Sequence, residues 1–129
     1  MADPATAAAL AVIDAALAVL DPAPGEVPAR LLVGLSGGLD SSVLLHALVG
    51  RRGPDRIRAI HVHHGLHADA DDWSEHCART CDALGVPLQV VRVRIDPQSP
   101  LGPEGAARDA RHAAFAAALA GDEKLVLAH

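Results

Sequence analysis

The sequence predicts an α/β domain in which helices cover both faces of an open parallel sheet. Short apolar runs alternate with helical segments four times along the chain, a pattern typical of parallel strands joined by right-handed crossovers. The first run, residues 31–35, is apolar throughout and ends at Ser-Gly-Gly, as expected for a strand buried on both faces. The chain has 129 residues, half of them hydrophobic, which is enough for one folded domain.

The N-terminal segment is predicted to precede the sheet. Residues 5–20 place four aliphatic side chains at helical spacing and are predicted to form a helix. Proline and glycine are frequent in residues 21–28, so a connector is predicted there. Residues 1–29 are therefore assigned to a helix with its connector, and residues 30–129 to the main domain.

Within the main domain, four strands and three helices are predicted. Glycine and proline mark the ends of the helices. The third strand carries Arg92 and Arg94 on one face, which favours a position at the sheet edge. The last strand is followed at once by His129, so we expect the sheet to be incomplete at its C-terminal end. The strands are predicted over 31–35, 57–62, 88–95 and 124–128, and the helices over 40–49, 70–84 and 104–120.

Composition excludes several classes of protein. The net charge is −5, which makes the chain by itself a poor binder of nucleic acid. Two cysteines, Cys77 and Cys81, cannot form the disulfide framework of a small secreted domain. The N-terminus lacks the basic region of a signal peptide, and its apolar run is too short to span a bilayer. A cytoplasmic domain without a membrane segment is expected.

The loop after the first strand is the main candidate site. Gly37 and Gly38 lie between a buried strand and a helix, at the edge of an open α/β sheet where ligands bind. Glycine permits a positive φ and close approach of an anion, and the following helix presents free N–H groups. Ser36 and Ser41 add hydroxyl donors, and Asp40 can hold Mg²⁺ that bridges phosphate oxygens. The alternative is a tight turn capped by a serine or aspartate.

Three strings carry a resemblance to a known family. The string S-G-G-L-D-S at residues 36–41 resembles the pyrophosphate loop of the N-type ATP pyrophosphatases. With H-V-H-H-G-L at 61–66 and G-P-E-G-A-A-R-D-A-R-H at 102–112, the chain is similar to the N-terminal catalytic domain of the tRNA(Ile)-lysidine synthetases. His112 stands where that family usually has Tyr. The resemblance implies a Rossmann-like sheet of the adenine nucleotide alpha hydrolase type.

The resemblance also implies an activity and its partners. These enzymes activate the wobble cytidine of an isoleucine tRNA, which has a CAU anticodon, with ATP and Mg²⁺, and L-lysine then displaces AMP. Asp40 and Arg108 would be catalytic, with Asp40 near the metal. A further family motif with two aspartates would begin at His129, so we expect this chain alone to be inactive. A homodimer is a further expectation. The residues implied to bind ATP are Ser36, Gly37, Gly38, Leu39, Asp40, Ser41, His63 and Arg108.

Several of these residues have simpler interpretations. Glu104 and Arg108 are four residues apart and could form a pair that only supports the helix. Arg111 is expected at the surface or facing RNA. Cys77 and Cys81 lie on an apolar helical stripe, which favours core packing over a zinc site with the nearby histidines. His63 and His64 follow a strand closely and could line the nucleotide pocket.

Other functions remain open at this point. The nearest alternative is another pyrophosphatase-loop enzyme, such as a tRNA thiolase or an amidotransferase-type synthetase. A different class would be a non-enzymatic module that binds a nucleotide or a metal as a signal. Thiolases usually carry additional cysteines, and this chain has two.

Overall fold

The structure, a computed structural model, describes residues 24–25, 29–65 and 68–127. The predicted helix over residues 5–20 lies outside the described residues. The described part contains a four-stranded parallel sheet in the order β3-β2-β1-β4. Its elements, in chain order, are β1 (Arg30–Gly34), α1 (Leu39–Arg52), a short 3-10 helix (Pro54–Arg56), β2 (Ile57–His63), α2 (Ala70–Leu84), β3 (Leu88–Arg92), α3 (Gly102–Ala118) and β4 (Glu123–Val126).

Strand β1 lies at the centre of the domain, as its uninterrupted apolar sequence predicts. Leu31, Leu32 and Val33 are fully buried, because β1 pairs with β2 and β4 at its edges and helices cover its side chains on both faces. Side chains of β1 alternate between two cores, one on each face of the sheet. Burial on both faces therefore explains why this strand lacks the polar alternation of a surface strand.

Strand β3 lies at the edge of the sheet, and this prediction is confirmed. It ends at Arg92, whereas the apolar pattern predicted a strand as far as residue 95. The last hydrogen bond to β2 runs from the N–H of Val93 to the carbonyl of His63, which is the final residue of β2. The strand stops there because its partner stops.

The helices cover both faces of the sheet, as predicted. Helices α1 and α2 bury Leu45, Leu48, Cys77 and Cys81 on one face, and α3 buries Phe115 on the other. The chain moves from β1 to β2 and β3 in one direction and then returns past β1 to β4. The strand order therefore reverses at β1, and in open α/β sheets ligands bind beyond the carboxyl ends of the strands near such a reversal.

In the part of the chain that the structure describes, no helix is long and apolar enough to cross a membrane.

Candidate nucleotide-binding site

The loop between β1 and α1 turns sharply at Gly37. This residue has a φ of +89°, a conformation that residues with a side chain rarely adopt. A Cβ atom at Gly37 would also lie 2.7 Å from Cβ of Trp73, at the start of α2. Gly38 is different, since its φ of −84° is ordinary and a Cβ there would meet Ser36 Oγ at 3.3 Å. The strict requirement for glycine therefore falls on Gly37.

Serine hydroxyls hold the loop in this shape. The N–H of Ser36 donates to Ser41 Oγ at 3.1 Å, and Ser41 Oγ donates to the carbonyl of Gly38 at 3.2 Å. The N–H of Gly38 in turn donates to Ser36 Oγ at 3.2 Å. Ser41 is only 3% exposed, and its single O–H donor is used within the loop. Its contacts therefore order the loop itself.

The amino end of α1 opens at the loop. Gly38 is its N-cap, and among the described residues no side chain caps the helix there. The first-turn N–H groups and the positive end of the helix dipole therefore face outward, as in an anion-binding site. Leu39 and Asp40 occupy this first turn and are exposed. A phosphate group is the ligand that this arrangement suits.

A cavity of about 360 Å³ lies beside the loop at the carboxyl ends of β1 and β2. Arg111 reaches it from α3, on the opposite face of the sheet from α1. Its Nε atom is buried and has no hydrogen-bond partner among the described residues. An arginine keeps its charge at all ordinary pH values, so this donor suits an anion in the cavity. The lining residues are Leu35, Ser36, Gly38, His61, Val62, His64, Trp73 and Arg111.

His61 connects β2 to the loop. Its Nδ1 atom lies 2.7 Å from the carbonyl oxygen of Leu35, and the residue is 3% exposed. Burial lowers the pKa of His61, the bond to Leu35 opposes this decrease, and the charge of His63 adds to it. A neutral ring is therefore expected near pH 7.

His63 and Arg108, both predicted to bind ATP, occupy other positions. His63 Nε2 lies 2.8 Å from a carboxylate oxygen of Asp71, and Arg92 approaches that oxygen at 3.7 Å. Arg108 is exposed, and neither residue is among those lining the cavity. Their roles in binding ATP stay predictions, as does the metal role of Asp40. Of the two candidate histidines, His64 reaches the cavity.

Sequence reasoning missed Arg111, His61 and Trp73 as cavity residues. Arg111 was expected at the surface or facing RNA, but it is half-buried. Arg108 and Arg111 lie three residues apart, so they occupy neighbouring positions on the helix. Spacing alone could not distinguish which arginine turns toward the sheet.

The two cysteines are free thiols buried in the core beneath the loop. Burial raises the pKa of Cys77 to about 11, the neighbouring Cys81 adds to this, and a hydrogen bond from the backbone of Gly37 opposes it. Burial also raises the pKa of Cys81 to about 11. Across the described ranges, no three His, Cys, Asp or Glu residues come together to hold a metal ion.

The sheet order, the glycine loop and the uncapped helix end are typical of nucleotide-binding α/β domains. The model of the PP-loop domain family matches residues 12–129, and the chain belongs to this family of ATP-binding domains.

Relatives at high identity are tRNA(Ile)-lysidine synthases. That of Xanthomonas axonopodis pv. citri (strain 306) is 60% identical over 108 residues, which are 82% of this chain and 24% of that protein. That of Serratia proteamaculans (strain 568) is 57% identical over 102 residues, which are 77% of this chain and 23% of that protein. The chain thus spans about a quarter of the length of the curated relatives it matches.

Among solved structures, the U34-tRNA thiolase NcsA from Methanococcus maripaludis is similar in fold. The TM-score is 0.51 at 21% identity, over 67% of this chain and 29% of that chain. At this identity the likeness concerns the fold alone.

Proposed function

We propose that this chain is the ATP-binding part of an enzyme that ligates lysine to the wobble cytidine of an isoleucine tRNA. The observation that carries the proposal is the uncapped amino end of α1, which lies next to the cavity that Ser36, Gly38 and Arg111 line. This arrangement supports binding of a polyphosphate. The choice of tRNA and lysine as substrates is supported by relatives 52–60% identical that are named tRNA(Ile)-lysidine synthase.

The residues of the loop would hold the phosphates of ATP. The first-turn N–H groups of Leu39 and Asp40 would donate to phosphate oxygens, together with the hydroxyl of Ser36. Arg111 would supply a fixed positive charge from the other side of the cavity, and Arg108 a second charge nearer solvent. Gly37 would keep the backbone close to the phosphates, and Ser41 would keep the loop in shape.

Mg²⁺ fits the residues at this site. Asp40 presents an exposed carboxylate in the first turn of α1, and Mg²⁺ commonly takes one or two carboxylates together with substrate phosphates and water. When bound, the ion would neutralise phosphate charge. Asp40 would then orient the polyphosphate relative to the helix end.

The proposed reaction has two steps. The C2 oxygen of the cytosine attacks the α-phosphorus of ATP, the bond to the β-phosphate breaks, and pyrophosphate leaves. The amine of lysine then attacks C2, and AMP leaves with the oxygen. Loop and arginine donors would stabilise the charge that develops at the α-phosphate, and holding ATP and cytosine together would lower the entropic barrier.

The alternatives receive less support from the chain. A thiolase would need cysteines for sulfur or a cluster, but Cys77 and Cys81 are both buried, with raised pKa values. A metal-sensing module would need a ligand cluster, which the described residues do not form. Action in the cytoplasm and a homodimer stay predictions.

The test is a chimera in which this chain replaces the matching segment of the Xanthomonas axonopodis relative. The assay measures incorporation of radiolabelled lysine into isoleucine tRNA, together with AMP release. We expect the chimera to incorporate lysine, because the two segments are 60% identical. Failure of a folded chimera to release AMP would contradict the proposal, and transfer of sulfur instead of lysine would favour the thiolase.

A matched pair of glycine variants controls for folding. Gly37→Ala should abolish lysine incorporation, because it adds a Cβ at positive φ and against Trp73. Gly121→Ala should leave incorporation unchanged, since nothing lies within 4 Å of a Cβ there.

A further inference from the structure

One peptide group, between Leu35 and Ser36, is held at both of its polar ends. Its carbonyl lies 2.7 Å from Nδ1 of His61 on β2, and its N–H donates to Ser41 Oγ on α1 at 3.1 Å. Both side chains are 3% exposed, so neither hydrogen bond competes strongly with water. Only Ser36 separates this peptide group from Gly37, where the loop turns.

We propose that His61 is a positioning residue that, with Ser41, clamps this peptide group and so fixes the loop in the form that binds phosphate. The inference rests on the proposed function, because it assigns a role within that same ATP site. His61 acts through the backbone of Leu35 and Ser36, whose side chains line the cavity.

The chemistry of the ring determines which nitrogen carries the proton. A carbonyl oxygen can only accept a hydrogen bond, so Nδ1 of His61 must be the donor. Burial favours the neutral ring, which has a single N–H. That one proton is used on Leu35, and Nε2 is left as an acceptor. The clamp therefore requires the tautomer protonated at Nδ1.

The packing around the peptide group explains why β2 supplies the clamp. The N–H of Leu35 donates to the carbonyl of Ile60 at 2.8 Å, which extends the pairing of β1 with β2 past Gly34. His61 is the next residue of β2 and reaches the carbonyl of the same Leu35. Without the imidazole, this carbonyl would lose its partner and the loop could leave its ordered shape before ATP binds.

The first experiment measures ATP affinity of the full chain from the fluorescence of Trp73. Trp73 is the single tryptophan of the sequence and lies so close to Gly37 that an added Cβ would be 2.7 Å from it, so it reports on the loop directly. His61→Leu removes the donor and keeps an apolar side chain, and it should weaken Mg-ATP binding about tenfold or more. His61→Asn places an amide N–H near the position of Nδ1 and should restore much of the affinity.

A matched histidine controls for the substitution. His46→Leu makes the same change at an exposed residue of α1 and should bind ATP like the wild type. Equal affinities of His61→Leu and His46→Leu would overturn the proposal. If His61→Leu does not fold, Ser41→Ala replaces it, because it releases the other end of the same peptide group.

The second experiment does not depend on ATP. Imidazole ¹⁵N spectra of the wild type, with the His61 signals identified by their loss in His61→Asn, should show the proton on Nδ1. A ring protonated on Nε2 would overturn the clamp, whatever the affinity for ATP. If the wild type shows the expected tautomer but does not bind ATP, this result contradicts the proposed function and not the clamp.

Discussion

Cys77 and Cys81 illustrate at the residue scale how burial determines chemistry. Both pKa values are raised to about 11, so only about a thousandth of each thiol is ionised at pH 8. Since the thiolate is the reactive form, labelling with Ellman's reagent at pH 8 should be at least about 100-fold slower in the folded chain than in urea. The labelling rate should rise with pH as the thiolate fraction increases.

A third thiol provides the matched control. Ala78→Cys introduces a cysteine at an exposed position of α2, beside Cys77 in sequence. This thiol should label within the time of mixing, while the two native ones stay protected. Rapid labelling of all three thiols in a folded chain would show that the core beneath the loop is open to solvent.

The sequence predicted the glycine loop but not the separate reasons for its two glycines. Positive φ was expected to be available at both Gly37 and Gly38, and only Gly37 uses it. The close approach of Gly37 to Trp73 brings together residues 36 positions apart, and no local pattern indicates it. Local conformation can thus be inferred from residue type, whereas close approach of distant elements cannot.

At the scale of secondary structure elements, Arg58 and Glu123 join three parts of the fold. The Arg58 guanidinium donates to both carboxylate oxygens of Glu123, at 2.7 and 2.6 Å, and to the carbonyl of Ala118 at 2.8 Å. Glu123 also accepts from the N–H of Ala120 at 2.7 Å. The pair therefore connects β2, the end of α3 and the start of β4, at the end of the sheet away from the loop.

Removing this charge pair should destabilise the domain in a pH-dependent way. Glu123→Gln should lower the free energy of unfolding by about 1–3 kcal/mol at pH 7, since Glu123 is buried while Arg58 is 37% exposed and partly screened. The hydrogen bond to Arg58 lowers the pKa of Glu123. The carboxylate of Glu123 therefore contributes its full stabilisation above the pKa of glutamate in the unfolded state, about 4.3. This contribution is lost as pH falls through the lower pKa that Glu123 has in the folded state.

Urea unfolding of both proteins between pH 7 and pH 2 measures this effect. The difference between wild type and Glu123→Gln should shrink steadily below about pH 4, because the wild-type carboxylate becomes neutral as well. A difference that stays constant with pH would mean that packing, and not charge, accounts for the effect.

The existence and type of the predicted elements in the described part are confirmed, and their ends show what the sequence could not determine. Helix α3 begins at Gly102, two residues earlier than predicted, because Pro103 is accepted in the first turn, where no N–H is needed. Strand β3 ends early because β2 ends. Periodicity predicts an element, but its partner determines where it stops.

At the scale of the whole molecule, the order of the strands locates the site. The sequence predicted parallel strands and an edge position for β3, but it left the side on which β4 joins undetermined. In the structure β4 pairs with β1, in the register Leu31 with Lys124. This placement makes β1 the point of reversal, and the loop that follows β1 lies at the carboxyl end of the sheet, where the cavity is found.

The same strand order predicts how local stability varies across the sheet. Strands β1 and β2 each pair on both sides, whereas β3 and β4 each pair on one side within the described residues. Native-state hydrogen exchange should therefore be slowest in β1 and β2, where Leu31, Leu32, Val33 and Ile60 are fully buried. Exchange in β3 as slow as in β1 would contradict this order of stability.

Binding of ATP should change this exchange pattern in one region. Mg-ATP should slow exchange of the amides of residues 36–41 and leave β3 nearly unchanged, because the ligand contacts the loop and the first turn of α1. In Gly37→Ala, exchange in β1 should stay as slow as in the wild type, but Mg-ATP should no longer slow exchange at residues 36–41. This result would show that the domain is folded and that only the loop has lost its shape. Exchange at residues 36–41 that ATP slows no more than exchange in β3 would contradict a site at the loop.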